Sequence, residues 1–282
     1  MGGGGLVPGY IDRLPRRDLL AVKGKNGLTH REGSTKIPQR SSVKKHLYNT
    51  TLGKVPWFIK RFGAGEVLMK PLRLTFAPVI IPLLSKRTFE FQGRRFDCFY
   101  HRYNMTWASE RCVEIPIARL YLEQCPNGNV LEVGNVLSHY APARHEVLDK
   151  FEKGPGVINQ DILEYRPGKQ YDLILSISTF EHIGFDDESE EPSGQKIKTA
   201  IVTCRQLLKP DGKLVLTLPV GYNPDLDELI RTGGLESTRE FYLRRTERLK
   251  WEETNQTEAL RHRFKSPFPY ANALVIAEFA RA

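Results

Sequence analysis

The stretch Asn129–Tyr140, NVLEVGNVLSHY, constrains this chain more than any other. Its apolar run, Val130, Leu131 and Val133, carries one acid, Glu132, and breaks at Gly134. A short apolar run closed by glycine and followed by helix-compatible residues reads as a buried parallel strand turning into a helix. In open α/β sheets this turn is a ligand site, because glycine lets the backbone approach closely and the strand's carboxyl end faces the crevice. Only the first glycine of a Gly-x-Gly loop is present, so on this stretch alone an ordinary buried strand remains open.

The chain beyond it alternates strands with helices, which predicts a parallel sheet covered on both faces. Strands are expected at His145–Asp149, Gly156–Ile162, Tyr171–Ile177 and Lys213–Leu218. A helix over Lys196–Leu208 ends at the turn Lys209-Pro210-Asp211-Gly212, and the acidic loop Asp186–Gly194 interrupts the pattern. FYLRR, LKWEE and Ala273–Phe279 read as paired strands at the sheet's edge.

Ahead of Asn129 the pattern differs. Residues 1–50 are rich in Gly, Lys, Arg, Ser and Thr and read as a flexible basic arm. Residues 51–128 read as an N-terminal extension. Within it Trp57–Leu84 holds Trp57, Phe58, Ile59 and Phe62 and then the apolar run Leu72–Leu84, with Lys70, Arg73, Lys86 and Arg87 about the ends of that run. Such a segment packs on the main domain or on a second subunit of a homo-oligomer, or it touches a membrane interface. Pro71, Pro78 and Pro82 spoil a regular amphipathic helix and favour packing. Thr88–Tyr100 alternates around Gln92-Gly93 as a β-hairpin, and Thr106 is placed to cap a helix running to Gln124, bent at Pro116.

Four scattered cysteines, Cys98, Cys112, Cys125 and Cys204, form no CxxC pair, which argues against zinc or a disulfide framework and for a reducing, cytoplasmic setting. No apolar run reaches the roughly 18–20 residues needed to span a bilayer. The formal charge of +9 suits anionic partners, and residues 1–95 hold 19 Lys and Arg against 5 Asp and Glu.

VLEVG, QDI, YDLILSISTFEHIG and LLKPDGKLVLTLP, in this order, resemble the class I S-adenosylmethionine-dependent methyltransferases over residues 129–282. The resemblance implies a Rossmann-like, mostly parallel seven-stranded sheet forming a catalytic domain that binds S-adenosylmethionine. It implies roles for Glu132 and Gly134 beside the methionine end of the cofactor, for Asp149 at the ribose and for Asp161 and Ile162 at the adenine. The glycine loop is divergent, Gly134-Asn135-Val136-Leu137-Ser138, and Asn135 and Ser138 are expected to serve in it as hydrogen-bonding groups for the cofactor. Tyr103, Asn104 and Arg111, just ahead of the first sheet strand, are candidates for the methionine carboxylate. A capped helix with a charged surface face explains them equally well.

Methyl transfer to oxygen needs a base, and His182 is the first candidate, with His139 second. The family's metal-binding Glu-x-x-Glu-His has Ser178 at its first position here, so no metal is expected. Tyr222 and Asn223 after the fifth strand, and Tyr242, Arg245 and Trp251 beyond it, are candidate acceptor contacts. The function expected is O-methylation of a small-molecule or glycan-like acceptor. The alternative is a catalytically silent binding module whose basic N-terminal region contacts a partner. A nucleic-acid substrate is disfavoured, because Ser176-Ile177-Ser178-Thr179 offers no stacking group for an extruded base.

Overall fold

The computed structural model describes residues 75–84, 87–186 and 192–282. The chain divides into two units, Met1–Ser42 and Val43–Ala282, and the first lies wholly outside the described residues. The expected basic arm and the start of the apolar segment, Trp57–Leu74, therefore lie outside them too.

An eight-stranded sheet, in the order β5-β4-β3-β6-β7-β10-β8-β9, forms the body of the second unit. Its strands are β3 (Val130–Val133), β4 (Glu146–Leu148), β5 (Val157–Ile158), β6 (Tyr171–Ile177), β7 (Leu208–Pro219), β8 (Arg239–Glu247), β9 (Lys250–Thr254) and β10 (Ala273–Ala280). The first five are mutually parallel, while β10 runs antiparallel to both β7 and β8. The expected Lys209–Gly212 turn is a bulge inside β7, where Tyr171 pairs with Leu208 and Leu173 with Lys213.

Alternation within each strand assigns residues to two cores. Leu131, Val133, Ile174, Leu214, Leu216, Val275 and Ala277 face one side, with Ile197, Ile201 and Cys204 of helix α2 (Ser193–Gln206) and Leu226 and Ile230 of helix α3 (Pro224–Thr232). Val130, Leu173, Leu175, Val215, Leu274 and Ile276 face the other, against Val113, Ile117 and Tyr121 of helix α1 (Arg111–Glu123). Phe89 and Phe91 of the hairpin β1 (Thr88–Phe91) and β2 (Arg94–Asp97) complete that core. Gln92 and Gly93 join the hairpin strands with φ of 52° and 69°, the positive pair that a two-residue turn needs.

The sheet has eight strands where seven were expected, because Lys250–Thr254 adds a further strand beyond Arg239–Glu247 at its edge, and three more expectations change. The segment Ala273–Ala280 lies inside the sheet rather than at its edge, because seven of its eight residues are buried and both its faces find apolar partners. Thr106 does not cap a helix; it sits in a 3₁₀ turn, Tyr103–Ala108, where its hydroxyl accepts from His101 N at 2.6 Å and donates to Phe99 O at 2.9 Å. The prolines at 78 and 82 do not prevent a helix, since residues 75–84 are helical. Both prolines lie within that helical segment, whose start falls outside the described residues. Pro116 is likewise housed inside α1: the Cys112 carbonyl that it cannot serve accepts Phe99 N at 2.9 Å.

Ile276→Ala should cost about 2–5 kcal/mol of stability, the range for truncating a fully buried aliphatic side chain, since Ile276 is 0% exposed. Urea unfolding measures it, and a loss below about 1 kcal/mol would contradict a central position for β10.

Candidate active site

The chain turns out of β3 at Gly134, whose φ is +91°. A Cβ there would stand 2.2 Å from Thr179 Oγ1 and 3.0 Å from Thr179 Cβ, so only glycine fits between the two strand ends. Glu132, 0% exposed, holds the loop from beneath. Its Oε1 accepts Val136 N at 2.9 Å and Leu137 N at 2.8 Å, and its Oε2 meets His145 Nε2 at 2.8 Å. Asp149, directly after β4, holds the same loop from the side. Its Oδ2 accepts Asn135 N at 2.9 Å, and its Oδ1 accepts Phe151 N at 2.8 Å and Glu152 N at 2.6 Å.

These contacts wall a cavity of about 360 Å³ at the carboxyl ends of β3 and β4. Gly134, Asn135, Asp149, Asp161, Ile162 and His182, all singled out from the sequence, line it, with Thr179 and Asp186 among the others. The chain leaves β3 toward β4 and β5 on one side and returns to β6 on the other, so the cavity lies at the sheet's switch point. A larger hollow of about 450 Å³ lies beside the amino ends of β3 and β4, with Arg119, Gly128 and Lys169 in its wall. Parallel sheets bind ligands at the carboxyl end, which makes the smaller cavity the candidate site.

Five parallel strands wound both ways from β3, the reversed β10 between β7 and β8, and a cavity at the switch point decide the architecture. This is the Rossmann-like fold of the class I methyltransferases. No protein-family model and no curated protein matches the chain. Among solved structures, this methyltransferase fold is similar to the N-methyltransferase NodS of Bradyrhizobium japonicum (18% identity, 61% of this chain and 87% of that one, TM-score 0.40). A TehB-like methyltransferase of Corynebacterium glutamicum follows at 17% identity, covering 58% and 86%, with a TM-score of 0.34. A possible histamine N-methyltransferase of Thermotoga maritima has 12% identity, covering 59% and 88%, with a TM-score of 0.35. Likenesses this remote carry no residue role or acceptor over.

Around the cavity's rim, Asn135 Nδ2 donates to Glu152 Oε1 at 2.9 Å, and Ser138 Oγ donates to Asn135 Oδ1. His139 Nε2 also meets Glu152, at 2.9 Å, and Tyr103 stacks on the His139 ring at 4.4 Å. Tyr103, Ser138 and His139 thus brace the loop from outside the cavity wall. Asn104 is exposed, and with Met105 it has a positive φ, 50° and 44°.

Arg111 belongs to a buried charge cluster instead. Its Nη1 donates to Glu114 Oε2 at 2.6 Å, and Glu114 Oε1 accepts Ser178 Oγ at 2.5 Å and Thr217 Oγ1 at 2.6 Å. Burial alone would lower the Arg111 pKa, but Glu114 and Glu110 raise it and keep the guanidinium charged.

His182 is reached from three sides. Its Nδ1 lies 2.5 Å from Asp186 Oδ2 and 3.0 Å from Tyr222 Oη, and Tyr222 Oη donates to Asp186 Oδ2 at 2.6 Å. Its Nε2 is 3.6 Å from Glu181 Oε1. Burial disfavours the imidazolium, but Glu181 and Asp186 outweigh it and raise the His182 pKa. Asp186 was hidden in the sequence as the first residue of an acidic loop. Its place four residues after a histidine was the signal that could have found it.

The other acceptor candidates are occupied elsewhere. Asn223, 0% exposed, caps α3 through Asp225 N and Leu226 N and donates to Glu181 O at 3.0 Å. Arg245, 2% exposed, donates to Ala108 O and Pro269 O at 3.2 and 3.0 Å. Trp251 is buried in the core beneath the hairpin, and Tyr242 Oη donates to Glu240. None of these four lines the cavity.

Among the described residues Glu181 has a buried Oε2 with no hydrogen-bond partner, and burial pushes its pKa up to about 7 from 4.5. A raised carboxylate pKa means the folded state binds the proton more tightly, so its contribution is lost as pH rises toward 7. One pKa unit is worth about 1.4 kcal/mol. Glu181→Gln should therefore gain roughly 2–3 kcal/mol relative to the wild type between pH 5 and pH 8. Urea unfolding at the two pH values measures this, and a pH-independent difference would contradict it.

Proposed function

We propose that the chain is an S-adenosylmethionine-dependent methyltransferase that methylates an oxygen of a small-molecule or glycan-like acceptor. The observation that carries this is a cavity at the switch point with Asp149 and Asp161 in its wall and the His182–Asp186 pair at its edge.

The residues present suit the cofactor. The volume falls in the range of small-molecule sites, about 300–1,000 Å³. Val133, Leu148 and Ile162 give the wall apolar surface for a flat ring. A carboxylate has about four acceptor positions, and three backbone donors occupy Asp149. One position remains for a ribose hydroxyl. Asp161 meets Lys150 Nζ at 2.8 Å through Oδ2 and accepts Leu163 N at 3.0 Å through Oδ1, and it would take the adenine amino group. Bound there, S-adenosylmethionine supplies a methyl carbon made electrophilic by its sulfonium.

The chain's own part is to place the acceptor and move its proton. Nδ1–H of His182 donates to Asp186, which fixes the ring and leaves Nε2 as the proton acceptor. An acceptor hydroxyl that gives its proton to Nε2 becomes the nucleophile, aligned by the cavity for displacement. Tyr222, which does not itself line the cavity, holds both members of the pair.

Label transfer from methyl-labelled cofactor to a panel of sugars, alcohols and amines tests the proposal, with hydroxyl acceptors expected to be labelled. His182→Ala should lower turnover by about 10²–10⁴-fold, the usual share of a general base, with little change in cofactor affinity. In the wild type the rate should rise with pH through an ionisation above the ordinary imidazole value, because only the neutral ring accepts a proton. Asp186→Asn should shift that rise to lower pH. Wild-type turnover in His182→Ala, or no shift in Asp186→Asn, would contradict the assignment.

A further inference from the structure

The helical segment at 75–84 is apolar on two adjoining sides. Ala77, 0% exposed, and the partly buried Ile80, Ile81 and Leu84 pack against Met105, Trp107 and Ala108. Phe76, Val79 and Leu83 follow the i, i+3, i+7 spacing that aligns residues along one side of a helix. Their exposures are 56%, 64% and 80%. Only four other large hydrophobics are exposed among the described residues, and they are scattered along the chain. Single exposed apolar residues need no explanation, whereas a ridge of three on ten residues marks a contact surface.

Charge identifies the partner. From Val67 to Phe89 the chain carries Lys70, Arg73, Lys86 and Arg87 and no acid. The excess of 19 basic over 5 acidic residues in 1–95 contrasts with 23 against 28 in 96–282. An apolar ridge flanked by Lys and Arg fits the surface of an anionic bilayer, where side chains enter the headgroup boundary and the cations meet lipid phosphates. Two copies joined through the same ridge would instead bring their own basic flanks together. We infer that Phe76, Val79 and Leu83 form a docking ridge for an anionic membrane surface.

The contact is peripheral: among the described residues no helix is long and apolar enough to cross a membrane.

Co-sedimentation of the full chain with vesicles of phosphatidylcholine, with and without phosphatidylglycerol, tests this independently of any methyl transfer. The partition coefficient should be about tenfold or more higher on the anionic vesicles and should fall with added salt. Replacing Phe76, Val79 and Leu83 together by Ser should lower it by about tenfold or more. All three are solvent-exposed, so the fold should survive, and circular dichroism checks that. Phe76→Trp, which keeps the ridge apolar, should be quenched by brominated anionic lipids. Equal binding to both vesicle types, a triple variant that binds like the wild type, or an unquenched Trp would overturn the inference. So would a ridge that drives concentration-dependent dimerisation with no vesicle binding.

Discussion

Two carboxylates aimed at one loop determine the shape of this molecule's candidate site. Glu132 and Asp149 between them accept the N–H groups of Asn135, Val136 and Leu137. Backbone donors turned inward in this way would cost stability if left unmet. A fully buried carboxylate is costly as well, unless hydrogen bonds and a partner compensate it, and His145 supplies the remaining contact to Glu132. The divergent glycine loop therefore keeps its shape by side-chain anchoring. Gly134 alone has to be glycine, because Thr179 fills the space its Cβ would need.

Much of the fold was legible in the sequence because strands buried on both faces read as continuous apolar runs. VLEV and YDLILSI are such runs, and they became β3 and β6. The order of β10 was not legible. ALVIAEFA has the composition of any buried strand, and its reversed insertion between β7 and β8 depends on pairing partners more than 50 residues apart in sequence for β7. Thr106 satisfied the local rule for a cap but serves a turn in which Asn104 and Met105 take positive φ, a conformation that non-glycine residues rarely show and sequence pattern does not signal.

The site was legible where a strand end dictates position and illegible where tertiary packing does. Gly134, Asp149 and His182 each follow the carboxyl end of a parallel strand, so topology alone brings them to one cavity. Arg245 and Trp251 look like edge-strand groups in sequence. The 3₁₀ turn and the hairpin cover them, and Arg245 spends its donors on backbone carbonyls. Around α1, Glu110, Glu114 and Glu181 share the charge of Arg111, an arrangement that no local pattern announces. That cluster lies next to His182 and helps set the electrostatic background in which its imidazole titrates.

Cofactor binding is the claim on which the functional account turns, and titration calorimetry with S-adenosylhomocysteine tests it most directly. The wild type should release or absorb heat with one-to-one stoichiometry. Asp149→Ala should bind about 1–3 kcal/mol more weakly, the range for losing a charged hydrogen-bond partner. No binding by a correctly folded wild-type chain, or full affinity in a folded Asp149→Ala, would contradict the account.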